Sequence, residues 1–163
     1  ALALMLCLAA APLQAEVTVT FTEGAPTDRF AIVTTATCLT GPLEIGINLA
    51  GSPAGLIFDT TGAGAGVEVF QPLVLVAGGD LVTGITALRD GDRAVTLRLA
   101  ALPPGQVVAF TTDLDDTVGQ RETIVSGAEI AGATASLRGP DGAVTAPFGA
   151  DGVARLATPP CTS

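Results

Sequence analysis

The sequence of 163 residues contains no histidine, lysine, tryptophan or tyrosine. Without histidine, the chain cannot form a Ser-His-Asp or Cys-His catalytic arrangement, and it cannot build a zinc site on imidazole. Without lysine, it can form neither a Schiff base nor a P-loop phosphate site. Without tryptophan and tyrosine, it lacks the aromatic faces on which sugar-binding clefts usually rely. Carboxylates are the only remaining catalytic groups, and we expect that the protein is not an enzyme.

Basic residues are also scarce, with sixteen acidic side chains against seven arginines and a net charge of −9. Binding to nucleic acid requires a basic surface, and so does docking on anionic lipid. We therefore expect no nucleic-acid partner. An acidic chain of this kind is compatible with cation binding, or simply with solubility.

Charge is absent from the first fifteen residues, which form an apolar run that ends in the small residue Ala15. This pattern predicts a signal peptide over residues 1–15, truncated at its N-terminus because the chain begins with Ala1, and a mature protein over residues 16–163. A membrane anchor is the alternative, but the run is shorter than the ~20 residues that span a bilayer. No later segment is long enough to span a membrane, so we expect a secreted or periplasmic protein.

Cysteine is rare, and only Cys38 and Cys161 remain after the leader with its Cys7 is removed. An even number of cysteines in an exported protein is most often paired. We therefore predict a disulfide between Cys38 and Cys161, with two free buried thiols as the alternative.

Hydrophobic residues alternate with polar ones along most of the mature chain, as in Val17–Thr22, Leu43–Leu49 and Val95–Leu99. Alternation with period two predicts half-buried strands, and no window shows a helical stripe with caps. Glycine, proline and aspartate mark turns between these segments. The other predicted strands are Arg29–Ala36, Gly55–Phe58, Val67–Phe70, Leu73–Val76, Leu81–Leu88, Gln106–Thr112, Glu122–Glu129, Ala133–Leu137, Ala143–Ala146 and Val153–Ala157. Short strands at close intervals predict an all-β fold with a single β-sandwich or jelly-roll-like domain.

An acidic run, Asp113-Leu114-Asp115-Asp116, follows the predicted strand Gln106–Thr112. Asp113 and Asp115 would share one face if the strand continued, and Asp116 would lie in the loop. Crowded carboxylates repel one another unless a positive group lies between them, and calcium is the usual hard cation for oxygen ligands outside the cell. The run therefore suggests a calcium site. Neutralisation of the same cluster by Arg121 is the competing interpretation.

Two further carboxylates end predicted strands, Asp59 beside a glycine-rich loop and Glu129 before Ala131. Either would complete a cation site if the fold brought it near Asp115, although both positions are also typical of turn caps. Asp28 and Arg29 are interpreted as a structural pair at the entry to a strand.

Four segments of the mature chain resemble a known protein family. They are Phe21–Phe30, Gly55–Asp59, Gly64–Pro72 and Phe110–Asp116. These segments are similar to bacterial proteins of the aggregation factor core family, which is named after the sponge aggregation factor core protein. The resemblance implies a secreted module of calcium-dependent cell adhesion, and it supplies no catalytic residues.

Together these features predict a secreted, non-catalytic binding module for adhesion or aggregation, with calcium ordering an acidic loop. Its partner would be a cell-surface glycan or protein, and it would be able to form oligomers. One alternative is a structural or assembly subunit that packs against a partner through a sheet edge. A second alternative is a carboxylate-based glycan hydrolase.

Overall fold

The computed structural model describes residues 15–62, 64, 66, 69–118 and 125–158, and it confirms the predicted all-β sandwich. In chain order the strands are β1 (Glu16–Thr22), β2 (Asp28–Thr34), β3 (Thr40–Asn48), β4 (Ile57–Phe58), β5 (Val74–Ala77), β6 (Val82–Ile85), β7 (Ala94–Ala101), β8 (Val108–Thr112), β9 (Leu114–Asp115), β10 (Thr134–Gly139), β11 (Gly142–Pro147) and β12 (Val153–Ala157). Two short 3₁₀ turns, Leu49–Gly51 and Gly79–Leu81, are the only helical segments in this part of the chain.

Two five-stranded antiparallel sheets form the layers of the sandwich. One has the order β12-β1-β2-β8-β5 and the other the order β11-β10-β3-β7-β6. The strands β4 and β9 form a third, two-stranded sheet, and their residues Phe58 and Leu114 belong to the same core. Consecutive strands cross repeatedly between the layers, for example from β2 to β3 and from β7 to β8, so each layer combines early and late parts of the chain.

The core follows directly from the alternation in the sequence. In β1 the side chains of Val17, Val19 and Phe21 are buried, while the threonines between them lie on the outer face. Phe21 is opposite Phe30 of β2, and Phe30 is opposite Phe110 of β8. The rings of Phe30 and Phe110 are stacked with their centroids 5.1 Å apart, which gives the sheet a compact aromatic centre.

Two predicted strands differ from the structure. Residues 125–129 of the predicted strand Glu122–Glu129 form a loop and a turn, in which the backbone N–H of Glu129 donates to the Ser126 carbonyl (3.0 Å). Val69 and Phe70 of the predicted strand Val67–Phe70 are not in a strand, and their side chains are exposed. The apolar residues of these segments alternate locally, but the described residues 69–70 and 125–129 take part in no strand ladder.

Several predicted features fall outside the described residues. These are nearly all of the predicted signal peptide, Arg121 and Cys161, so the disulfide stays a prediction. Cys38 is described, and it lines a cavity of about 340 Å³ together with Thr158 at the end of β12. The chain thus reaches the neighbourhood of Cys38 three positions before Cys161. The described residues include no helix of sufficient length and hydrophobicity to cross a membrane.

Candidate metal centre

The two short strands β4 and β9 bring distant carboxylates together. Phe58 is opposite Leu114, and the backbone N–H of Asp59 donates to the carbonyl of Asp113 (3.0 Å). Asp59 follows β4 directly, while Asp113 and Asp115 flank Leu114, so pairing of the two strands places all three aspartates at one point. This pairing links the first half of the chain to the second.

The three carboxylates form a compact, buried group. One side-chain oxygen from each of Asp59, Asp113 and Asp115 lies within 4.8 Å of the others. The exposed fractions of these residues are 0%, 5% and 1%, respectively. We refer to these three residues as the aspartate triad. Because these carboxylates are buried, water can hardly screen their negative charges, which would repel one another strongly at this spacing.

Asp59 is the most constrained member of the aspartate triad. Among the residues that the structure describes, neither of its side-chain oxygens has a hydrogen-bond partner. The pKa of Asp59 is raised to about 7 from its ordinary value of 3.8, chiefly by burial and in addition by the neighbouring carboxyl groups of Asp90 and Asp115. Burial and the charge of Asp115 likewise raise the pKa of Asp113 to about 7. A buried carboxylate without a partner is costly, which is why such groups are normally paired or coordinate a metal.

The glycine-rich loop after β4 makes room for these carboxylates. A Cβ atom on Gly66 would collide with the carboxyl group of Asp59 and would also meet Oδ2 of Asp115. A Cβ atom on Gly64 would collide with the carboxyl group of Asp90. Only glycine allows the backbone to approach these side chains so closely. The main chain at Gly66 thus lies directly against the carboxyl groups of Asp59 and Asp115.

Asp90 is a neighbour of the aspartate triad that the sequence did not identify as part of a site. Its Oδ1 accepts hydrogen bonds from the backbone N–H groups of Thr60 (2.8 Å) and Thr61 (3.1 Å), which follow Asp59 directly. The sequence around Asp90 indicates a turn, and this pattern does not predict that Asp90 also binds the backbone beside Asp59. A carboxylate in a turn that packs on β4 has no local pattern that would reveal this contact.

Asp28 lies on the other side of the segment that carries Asp113 and Asp115. It is 1% exposed, its Oδ1 accepts from the backbone N–H of Gly24 (3.1 Å), and its Oδ2 accepts from that of Leu114 (3.1 Å). Burial raises its pKa to about 7, although the two hydrogen bonds act in the opposite direction. The expected pairing with Arg29 is not found, because Asp28 is buried and Arg29 is exposed on the opposite face of β2.

The remaining predicted ligands lie outside the aspartate triad. Asp116 is buried at 4% exposure, but it is not among the three carboxylates that converge. Glu129 is half-buried, and its Oε2 accepts a hydrogen bond from the backbone N–H of Ser126 (2.6 Å), so the structure places it in a turn cap. Of the five predicted ligands, the fold thus brings together Asp59, Asp113 and Asp115.

The chemistry of the aspartate triad suits a hard cation. Three carboxylates provide up to six oxygen atoms, and calcium takes six to eight oxygen ligands that include backbone carbonyls and waters. Zinc prefers nitrogen and sulfur ligands, which are absent here. Asp59 and Asp115 are too deeply buried for a glycan to reach them, so the geometry does not favour hydrolysis.

Comparison with known proteins gave no match to a family model, to a curated protein or to a solved structure. The resemblance to the aggregation factor core family accordingly stays a prediction.

Proposed function

We propose that this protein binds calcium at the aspartate triad and that the ion orders one end of a secreted, non-catalytic adhesion module. The observation that carries the proposal is Asp59, which is fully buried, has two side-chain oxygens without a hydrogen-bond partner among the described residues, and faces two further carboxylates. A divalent ion would compensate for the desolvation of these groups and for their mutual repulsion.

Calcium fits this site better than magnesium does. Magnesium requires near-ideal octahedral geometry and usually keeps several of its waters, whereas calcium accepts irregular sites built from carboxylates and backbone carbonyls. The aspartate triad is buried and its ligands come from separate segments, Asp59 after β4 and Asp113 and Asp115 around β9. Extracellular calcium modules bind with dissociation constants of about 10⁻⁴–10⁻³ M. This range matches the free calcium found outside cells.

The adhesion role is supported by three features. The sequence contains a run typical of a signal peptide, it lacks histidine, lysine and tyrosine as catalytic groups, and it resembles a family linked by name to calcium-dependent adhesion. The ion would hold together the segments that carry Asp59 and Asp113–Asp116. The loops beside these segments would then contact a cell-surface glycan or protein. Loops positioned by a rigid scaffold are the usual place for such contacts.

Calorimetric titration of the demetallated protein with calcium tests the binding step. We expect one site per chain with a dissociation constant of about 10⁻⁴–10⁻³ M. We also expect an increase in melting temperature that corresponds to about 2.7 kcal/mol when free calcium is 100 times the dissociation constant. If calcium at about 10 mM, roughly tenfold above the weakest constant in this range, produced no heat and no melting shift, the metal would be removed from the proposal.

Two matched pairs of variants locate the ion. Asp59→Asn should abolish the calcium-dependent shift, whereas Asp80→Asn, at an exposed position in a 3₁₀ turn, should preserve it. Gly66→Ala should weaken binding because the new methyl group occupies the space beside Asp59 and Asp115. Gly79→Ala, where a Cβ meets nothing within 4 Å, should not change it. An equal calcium-dependent melting shift for the two variants of either pair would contradict the location of the ion at the aspartate triad.

Bead-aggregation assays test the adhesion step separately. Beads coated with the protein should aggregate with cells or with one another in calcium, disperse in a chelator, and fail to aggregate when coated with the Asp59→Asn variant. Calcium binding without any aggregation or glycan binding would leave the metal site in place and contradict adhesion.

An assembly role is the second candidate, and the edge of one sheet favours it. β5 is an outermost strand, and Val74 and Val76 on it are 50% and 51% exposed. Exposed strand edges pair readily with other chains. Light scattering after size exclusion separates the candidates, because an assembly subunit should form oligomers with or without a chelator.

A further inference from the structure

We infer that Asp28 is a positioning residue of the proposed calcium site, which it shapes by fixing the backbone between two of the ligands. This inference rests on the proposed function, because it assigns a role to a residue that would not touch the ion. Leu114 lies between Asp113 and Asp115, and its N–H donates to Oδ2 of Asp28 (3.1 Å). The fold thus places an acidic side chain from the start of β2 directly behind the ligand-bearing segment.

The contact is buried and joins segments far apart in sequence. Asp28 is 1% exposed and Leu114 is also 1% exposed, so water does not compete for the hydrogen bond. On its opposite side, Leu114 pairs with Phe58 in the β4-β9 sheet, next to Asp59. The Leu114 backbone is therefore fixed from both sides, by Asp28 on one and by β4 on the other. This arrangement sets the distance between the ligands on β9 and Asp59.

A carboxylate is the appropriate group for this role because it accepts two hydrogen bonds at once. Its Oδ1 accepts from the Gly24 N–H (3.1 Å) while Oδ2 accepts from the Leu114 N–H. An asparagine at position 28 would have a single oxygen, and its NH₂ group would point at one of the two backbone donors. Asp28→Asn therefore preserves the size of the side chain and disrupts one of the two contacts.

The expected effect is on calcium affinity. Residues that orient the ligands of a metal from behind usually change metal affinity 10–100-fold when they are mutated. We expect Asp28→Asn to raise the calcium dissociation constant at least tenfold, measured at a temperature at which the metal-free variant is fully folded. The luminescence lifetime of bound Tb³⁺ should also shorten, since displaced ligands would be replaced by water.

Asp151→Asn is the matched control. Asp151 also accepts a backbone hydrogen bond, from the N–H of Val153 (3.2 Å), but it lies before β12, two strands away from β2 in the same sheet. This variant should lose some stability and retain the calcium affinity and the Tb³⁺ lifetime of the wild type. A purely structural role for Asp28 would lower the melting temperature of the metal-free protein without changing either quantity.

The outcomes separate this inference from the proposed function. If the wild type binds no calcium, both fail. If the wild type binds calcium and Asp28→Asn binds it as tightly as Asp151→Asn does, the positioning role is overturned and the calcium site stands. If Asp28→Asn does not fold, the wild type provides the test through NMR scalar coupling across the hydrogen bond between Leu114 N and the Asp28 carboxyl carbon. Absence of this coupling in the calcium-bound protein would overturn the inference.

Discussion

At the scale of single residues, Asp59 is the position at which burial and negative charge oppose each other most strongly. Its carboxyl group is fully buried, lies beside Asp90 and Asp115, and has a pKa raised to about 7. The same features that make it unfavourable in the metal-free protein would make it a strong ligand. Removal of its charge should therefore have opposite effects in the two states.

We predict that Asp59→Asn stabilises the metal-free protein and eliminates its stabilisation by calcium. An unsatisfied buried polar group costs about 1–3 kcal/mol, and the asparagine NH₂ group would donate to a neighbouring carboxylate instead. Denaturant unfolding at pH 8, with chelator and with calcium, measures both effects. A variant less stable than the wild type in chelator would show that Asp59 has a favourable partner without metal.

The local sequence revealed some members of the site and not others. Asp113 and Asp115 lie in one acidic run, and Asp59 ends an apolar segment, so each was identified as a candidate ligand. Asp90 and Asp28 were interpreted as turn and strand-entry residues, because their contacts are made with residues distant in sequence. A local pattern shows which residue types are present, whereas convergence depends on strand pairing.

At the scale of secondary-structure elements, the long strands and the short strands β4, β5 and β6 were predictable, and the two-residue strand β9 was not. β12 has the predicted bounds Val153–Ala157, and β1 extends only one residue before Val17. Alternation over five or more residues gives a clear signal. The two-residue strand β9 gives none, although its pairing with β4 builds the aspartate triad. A turn replaced the end of the predicted strand Glu122–Glu129 because Ser126 and Glu129 cap it locally.

The pairing of β1, β2 and β8 depends on the aromatic centre of the sheet. We predict that Phe30→Ala lowers the free energy of unfolding by about 3–5 kcal/mol, as is usual for a large-to-small change in a core. Phe30 is fully buried, and its ring lies within 5.2 Å of that of Phe21 and within 5.1 Å of that of Phe110. Urea unfolding measures the change.

Val33→Ala is the matched control for this prediction. Val33 lies in the same strand but is 36% exposed on the outer face, so its truncation should change the free energy of unfolding by less than about 1 kcal/mol. Similar losses for the two variants would mean that the faces of β2 are assigned incorrectly.

At the scale of the whole molecule, three raised pKa values determine how stability depends on pH. The pKa values of Asp28, Asp59 and Asp113 are raised to about 7 from 3.8, so the folded metal-free protein binds protons more tightly than the unfolded chain does. The stability that these groups contribute is therefore fully present below about pH 4, falls as pH rises to about 7, and is constant above.

We predict that the melting temperature of the metal-free protein falls between pH 5 and pH 8, and that the stabilisation by calcium grows over the same range. Calcium competes with protons for the same oxygen atoms, which explains the second trend. Thermal scans in chelator and in calcium at several pH values measure both. The Asp59→Asn variant should show a smaller slope in chelator, and an unchanged slope would contradict the assignment.

We also predict that Cys38 and Cys161 are joined by a disulfide bond. Closing a loop of this length stabilises by about 4–5 kcal/mol in the chain-entropy model. Thiol labelling of the denatured protein without reductant should detect no free thiol, and Cys38→Ser should lower the melting temperature. Labelling of both cysteines before reduction would contradict the disulfide.

The aspartate triad has a consequence for the order of events during biogenesis. Its ligands lie directly after β4 and around β9, and these two strands are separated by four others in the chain order. No ion can be held until the later segment has been synthesised and has reached the earlier one. If the protein is exported and binds calcium as we propose, the aspartate triad would meet calcium only after translocation, because free calcium is scarce in the cytosol. Maturation would then be completed on the far side of the membrane.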